Sequence, residues 1–490
     1  MQLRGLIRPK GLWPIGLFRA TPAHVLHAAQ GSRPLSAGVA EDINVTAPDA
    51  SEADAYYCAR YRFAGETVTA APEELFVLTQ PSAAWRHERD GLAWLKHFCA
   101  APRRLHVFYL ARLMDGWMTT ASPTRNMHVE SERLNNLAAT LPLLGMSCGA
   151  REKAIFANAL EIQCARLLQL KPHNSEESVE QAASLLGLAR RDARFRRVAE
   201  GAWKQLAANL PQLIMVDGSD IWRDADRALG LADTLAKLLQ GDVSGAVPPP
   251  VMVARDRLFA YLAMFRLAPG LWSSAVSDDV PAHLEALFDG IHPVGHTSSG
   301  GRTLMQQAET RILAHWGEDF RDAYVEIAHM GKPVLLVHQA KDAPSADPRP
   351  PRHEAGSGEG ELLCASWVSQ ETRLDKTFYL SAGGKDMRFE ECWKGGCGSA
   401  GIVIRLQPNC KVLRMQDGFG ANIHLPDGSG WQLKVRGASI SREGAGNSLW
   451  ISGSESEEGC IQWALKKHPS SRPRGGRSQK RAEQDSELPF

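Results

Sequence analysis

Apolar residues along this chain follow two different periods, and the change falls near Gly290. From Leu92 to about Leu287 they recur every three to four positions, as in Leu92, Leu95 and Phe98, then Leu105, Phe108, Tyr109, Leu113 and Trp117. Such spacing collects them on one stripe of a helix. It predicts helices over residues 131–144, 151–170, 178–188, 195–210, 221–240 and 250–265. Pro123, Gly145, Pro172, Pro211, Gly218 and the run Pro248, Pro249, Pro250 punctuate these segments. Six or more helices on short connections fit antiparallel packing in a bundle, solenoid or toroid. No fixed-period sequence repeat accompanies them.

Beyond Gly290 the period shortens to two. Ile402, Ile404 and Leu406 alternate with Val403 and Arg405; Trp431, Leu433 and Val435 alternate with Gln432 and Lys434. Strands are expected over 325–327, 333–337, 362–368, 377–381, 402–406, 411–416, 421–425, 431–435, 448–451 and 461–465. Asp417-Gly418 and Asp427-Gly428 are hairpin turns, because glycine takes positive φ at no steric cost. Many short strands so spaced predict an antiparallel β-sandwich. The fold class is therefore multidomain, α then β. The expected division is an irregular, proline-broken leader over 1–55, a helical domain over 56–289, a β-sandwich over 290–467 and a polar, basic tail over 468–490. A Pro/Gly-rich linker is expected at 343–360.

Charge narrows the function classes. Fifty-six Lys and Arg against fifty-five Asp and Glu leave +1 overall, which argues against a dedicated nucleic-acid binder. A local basic cleft remains compatible with that balance. Nine cysteines show no Cys-x-x-Cys pair and no repeated ligand spacing, so reduced thiols are expected, with neither a disulfide framework nor a metal site. The start of the chain is arginine-rich and lacks a continuous apolar stretch, so the cytoplasm is the expected compartment, with periplasm or cell envelope the alternative. No apolar run reaches the roughly 20 residues of a membrane span.

Four ordered segments carry a resemblance: 377–391 (TFYLSAGGKDMRFEE), 404–418 (IRLQP through LRMQDG), 423–431 (IHLPDGSGW) and 461–467 (IQWALKK). They are similar to segments of bacterial heparinase II/III-like polysaccharide lyases. Fainter matches in the same order are 61–65 (YRFAG), 132–136 (ERLNN), 216–223 (VDGSDIWR) and 264–266 (MFR). The resemblance implies an (α/α) toroid followed by a β-sandwich, and β-elimination on uronate-containing glycans. The alternative is a catalytically impaired glycan-binding or scaffold protein on the same fold. An interaction protein with helices and an appended β-module, unrelated to carbohydrate, is a third reading.

Elimination requires neutralising the uronate carboxylate, removing the C5 proton and protonating the departing O4. The resemblance places Asn136 and Tyr324 as catalytic residues and Arg133, Arg223 and Arg266 as substrate-binding ones. It implies an acidic polysaccharide or oligosaccharide as partner; no cofactor and no metal is read from the sequence. The sequence departs from the family at several points. Leu137 and Thr140 stand where the family has Trp and His, Asp220 lies where the loop carries a His, and Leu267-Ala268-Pro269-Gly270 replace a His-Gly-Asp-Gly stretch. The Asp217-Gly218 pair is expected to turn ahead of a helix capped by Ser219 or Asp220. Five histidines between 292 and 338 match no metal signature and are expected to be dispersed over the surface. His353 inherits no role.

Overall fold

A computed structural model describes residues 48–468. The exceptions are the stretches 101–102, 121–123, 142–143, 145–147, 241–246, 277–279, 298–300, 317–319, 321–322, 340–345, 350, 357–359, 370–371, 396–400, 443–447 and 454–457. Most of the expected leader and nearly all of the expected tail lie outside the described residues. The chain forms two compact units: one contains the residues up to Leu213 and Asp233–Val253, the other Ile214–Ala232 and everything from Ala254.

The first unit is helical. Its elements are α1 (Ala50–Tyr57), a small hairpin of β1 (Arg60–Phe63) and β2 (Glu66–Thr69), α2 (Ala83–Gly91), α3 (His97–Ala100), α4 (Arg104–Thr120), α5 (Met127–Thr140), α6 (Ala150–Gln169), α7 (Ser175–Arg191) and α8 (Arg196–Leu213). Helix α7 packs on α8, α5 on both α6 and α7, and α4 on α6. Local chemistry sets the ends. Asn174 accepts the Glu177 amide at 2.8 Å, with Glu176 and Glu177 in the first turn of α7 and Arg190 and Arg191 in its last, matching the helix dipole. Asn126 caps α5 by accepting the Val129 amide, so this helix starts four residues before the expected position. Helix α1 occupies part of the region expected to be irregular, because Asp49 caps it through the Ser51 amide.

Helices α9 (Ala225–Leu239) and α10 (Pro249–Leu262) follow, then β3 (Arg266–Ala268), β4 (Leu271–Trp272) and α11 (Ala282–Leu287). The remaining strands build two antiparallel sheets. They are β5 (His296–Thr297), β6 (Arg302–Gln307), β7 (Thr310–His315), β8 (Tyr324–His329), β9 (Lys332–Gln339), β10 (Asp347–Pro348), β11 (Arg352–Gly356), β12 (Gly360–Val368), β13 (Arg373–Leu380), β14 (Asp386–Lys394), β15 (Ile402–Leu406), β16 (Lys411–Arg414), β17 (Gly420–His424), β18 (Gly430–Arg436), β19 (Ala438–Arg442), β20 (Ser448–Gly453) and β21 (Glu458–Lys467). One sheet runs β19-β20-β15-β9-β8-β7-β6-β5; the other runs β10-β12-β13-β14-β21-β18-β17-β16, with β11 beside β12. A shared core closes between them, with Trp367, Trp431 and Trp463 from one sheet against Ile312, Val325 and Ile404 from the other. The Phe389 and Trp463 rings stack at 3.7 Å within it. Between β18 and β19 the chain switches sheets at Gly437, whose φ is +76° and where any Cβ would lie 2.3 Å from the Cys460 carbonyl oxygen.

Strands β6, β7, β14 and β19 are among those that escaped the sequence reading, each for a physical reason or for want of length. Strands β6 and β7 are buried along most of their length, which erases the alternation that a half-buried strand shows. Strand β14 turns Met387, Phe389 and Trp393 inward, but the same face carries Glu391, which meets Lys376 of β13 at 3.1 Å in the interior. Strand β19 is short and only half apolar. The expected linker at 343–360 contains β10 and β11, both paired to β12. The expectation of reduced thiols also needs correction. Cys392 and Cys460 are direct partners across β14 and β21 and are joined as a disulfide; a separation of 68 residues offers no sequence pattern to read. Among the described residues no helix is long and apolar enough to cross a membrane.

Candidate active site

Strand register in the second unit lines up four side chains of chemical interest. Arg302 lies opposite His315, His315 opposite Tyr324, and Tyr324 opposite His338. Residues opposite one another share a face of the sheet, about 4.8 Å apart from strand to strand. Their sequence neighbours Ala314, Val325 and Val337 belong to the sandwich core, so the row projects from the other face. The His315 and Tyr324 rings lie 4.9 Å apart.

Residues from 220–223 and 261–274 surround this row. Arg302 is 3% exposed and donates to the Tyr261 hydroxyl at 2.5 Å and to the Arg223 carbonyl at 3.2 Å, and its guanidinium lies 4.8 Å from the Phe265 ring. The Ser274 amide donates to Glu326, two residues along from Tyr324, at 2.8 Å. The loop that delivers Arg223 is fixed by an Asx turn. Asp217 accepts the Ser219 amide and hydroxyl, and Gly218 has φ +85° with the Arg257 carbonyl oxygen 2.2 Å from where a Cβ would be. The expected turn is there, but the cap of α9 is Asp224, which accepts the Asp226 and Arg227 amides, rather than Ser219 or Asp220. Arg223 itself is exposed and holds a left-handed backbone at φ +55°, a conformation that costs a non-glycine residue about 1 kcal/mol or more.

The electrostatics follow from burial. Asp220 is 1% exposed; one carboxyl oxygen accepts the Asp224 amide at 3.2 Å, while the other is buried without a partner. Burial raises its pKa above the usual carboxylate range, against the pull of the Asp224 amide and of Arg302. His315 is held down to about 3, first by burial and then by the Arg302 and Arg223 charges, and its Nδ1 is buried without a hydrogen bond. The Tyr324 hydroxyl is buried beside Ser273 and Arg302 without a well-formed bond to either, and burial raises its pKa although Arg302 opposes this. The site thus joins a neutral imidazole, a protonated phenol, a buried carboxyl and two guanidinium groups.

The depressed His315 pKa has a thermodynamic consequence. Unfolded, the imidazole would titrate near 6.5, so between that value and about 3 the unfolded chain binds the extra proton. Stability from this group is complete above pH 6.5 and is lost as pH falls toward 3. In His315→Asn the slope of unfolding free energy against pH, measured by denaturant titration from pH 6 to pH 4, should be shallower than in the wild type by up to about 1.4 kcal/mol per pH unit. Equal slopes would contradict the assignment.

Of the five residues expected from sequence, the structure brings Tyr324 and Arg223 together. Arg266 lies elsewhere on the same unit. It binds Glu285 at 2.7 Å and Asp289 at 2.8 Å, and its carbonyl accepts from Arg311. Arg311 sits opposite Ala328, four positions along the β7–β8 pair from His315–Tyr324 and therefore about 13 Å away. Both arginines line a cleft of about 530 Å³ with Phe288, Glu309 and Met330. Arg133 and Asn136 belong to the first unit. Arg133 is 1% exposed, ion-paired to Glu130 at 2.8 Å and bonded to the Asp90 carbonyl, so its guanidinium lies in the helical interior. The Asn136 amide donates to the Gly91 carbonyl at 2.8 Å and ties α5 to the end of α2.

Sequence reasoning missed Arg302 and Tyr261 and set His315 aside among dispersed surface histidines. His315 and His338 instead share the row with Tyr324, and His329 is buried between Thr310 and Lys467. His353 pairs with Glu361 at 3.0 Å. A histidine and a tyrosine nine residues apart is the one local signal for the pair; nothing local marks Arg302.

This arrangement of helices and paired sheets has counterparts among solved structures. A heparinase III with methylated lysines superposes with a TM-score of 0.69 at 11% identity, covering 92% of this chain and 89% of that one. The fold is that of heparinase III. A helical toroid-type domain followed along the chain by an antiparallel β-sandwich is the architecture of this polysaccharide lyase fold. The heparan sulfate lyase of Pedobacter heparinus matches the same heparinase III-like fold at TM-score 0.61 and 10% identity, over 92% of this chain and 88% of that one. A Paenibacillus xanthan lyase matches at 0.53 and 9%, over 86% of this chain and 56% of that one. No family model matches this chain, and no curated protein matches it by sequence.

Proposed function

We propose that this protein is a polysaccharide lyase that cleaves a uronate-containing glycan by β-elimination at the Arg302–His315–Tyr324 row. The observation that carries the reading is the buried Tyr324 hydroxyl, without a well-formed hydrogen bond, beside a neutral His315 and the Arg302 cation. Arg223 and Arg302 attract the uronate carboxylate, so that the charge of the developing enolate is spread over fixed donors. His315 accepts the C5 proton. Burial is the first cause of its low basicity in the ligand-free site, and an anion beside Arg302 and Arg223 offsets the two charges that add to it. Tyr324, protonated, hands its proton to the departing O4.

These assignments reverse the simplest expectation for Tyr324, which was to remove the C5 proton. A phenol whose pKa burial has raised donates more readily than it accepts. Neither Arg133 nor Asn136 is given a part. The experiment is incubation of the purified protein with a panel of uronate polysaccharides, following ultraviolet absorbance of the unsaturated product. Rising absorbance with at least one polymer is expected. Retarded migration in glycan affinity gels without any absorbance change would replace the lyase by a glycan-binding protein on the same fold. Neither response with any acidic glycan would end both readings.

A further inference from the structure

On the outer face of the nine-stranded sheet, away from the row described above, Glu390, Cys392 and Cys460 bring one carboxylate oxygen and two sulfur atoms within 4.8 Å of one another. We propose that, once its disulfide is reduced, this cluster is a zinc site. All three side chains are half-buried, and strand register places them: Cys392 pairs directly with Cys460, and Glu390 with Gln462. Two thiolates and one carboxylate are a donor set suited to Zn²⁺, which leaves a fourth tetrahedral position for water.

Three features support a built site over a chance grouping. The Gln462 amide donates to one Glu390 oxygen at 2.6 Å, which orients the carboxylate as outer partners of metal ligands do. The ligands stand on two adjacent strands in mid-sheet, so the backbone needs no rearrangement to present them. Tetrahedral zinc holds two sulfurs roughly 3.8 Å apart, given Zn–S bonds of about 2.3 Å. Rotation of the two cysteine side chains opens the bonded pair to that distance across a Cα separation of 4.1 Å.

Reduction requires a dithiol. One of its thiolates attacks a sulfur of the Cys392–Cys460 bond and forms a mixed disulfide. Its second thiol then displaces the protein cysteine and leaves as the cyclic disulfide. Two electrons and two protons pass to Cys392 and Cys460, and Zn²⁺ then binds with release of both thiol protons. The oxidised protein has no thiolate to offer at this position, so metal binding reports the redox state of the pair.

The test uses the full chain and Co²⁺ as a spectroscopic stand-in for zinc. After reduction with a dithiol and anaerobic removal of excess reagent, the wild type should bind Co²⁺ with thiolate-to-metal charge transfer in the near ultraviolet and tetrahedral bands in the visible, both lost on adding Zn²⁺. The unreduced wild type should show neither, a comparison that requires no substitution. Glu390→Gln should weaken binding at least tenfold and alter the visible bands, and Cys392→Ser should abolish the charge transfer. Identical spectra from reduced wild type and Cys392→Ser would assign the metal to other cysteines and overturn the proposal. So would a reduced wild type with no charge-transfer band.

Discussion

Replacing Arg133 by methionine is expected to cost the helical unit about 3–5 kcal/mol, with no specific effect on glycan recognition. Glu130 is completely buried and receives Arg133 at 2.8 Å, the Thr124 amide at 2.7 Å and the Gln163 amide at 2.7 Å. Removing the cation strands a desolvated carboxylate among neutral donors, with Arg166 the nearest remaining positive group. Breaking one side of a buried pair is far more damaging than removing both. The double variant Glu130→Gln/Arg133→Met should therefore recover part of the loss. Denaturant titration of the wild type, the single variant and the double variant measures this. A single variant within about 1 kcal/mol of wild type that loses affinity for acidic glycans would restore Arg133 to the binding role its sequence motif implied.

Tyr324→Phe should lower kcat by roughly 10²- to 10⁴-fold, the usual contribution of a general acid or base. Stability should barely change. The hydroxyl is buried without a well-formed hydrogen bond, so its removal relieves a desolvated polar group instead of breaking an interaction. Lost activity with unchanged or slightly raised stability is the signature of a group kept for chemistry. Steady-state kinetics together with denaturant titration read both quantities. A stability loss above about 2 kcal/mol with kcat preserved would make Tyr324 a packing residue.

How far the sequence reached depends on which physical signal was in play. Helices α5 to α10 were legible because their apolar stripes keep one period and Pro or Gly stands between all of them but α7 and α8; errors at their ends came from caps such as Asn126, which polar residues supply outside the stripe. The sandwich was legible where one face of a strand is wet, as in β18, and lost where both faces are covered, as in β6 and β7. The candidate site was legible only at Tyr324 and Arg223. Arg302, His315 and His338 join Tyr324 through strand register, which pairs positions across turns and cannot be read from spacing along one strand. The burial of Arg133 was illegible for a related reason. A basic residue on a helix with an apolar stripe looks solvated until the carboxylate three positions away proves to be buried with it.

The elimination chemistry itself can be tested most directly by mass spectrometry of products formed in ¹⁸O-enriched water. β-Elimination breaks the bond between C4 and its oxygen without adding water, so the new non-reducing ends should be unsaturated and free of ¹⁸O. Saturated non-reducing ends, together with ¹⁸O at C1 of the new reducing ends, would mean hydrolysis, and a site working by hydrolysis contradicts the roles given to His315 and Tyr324.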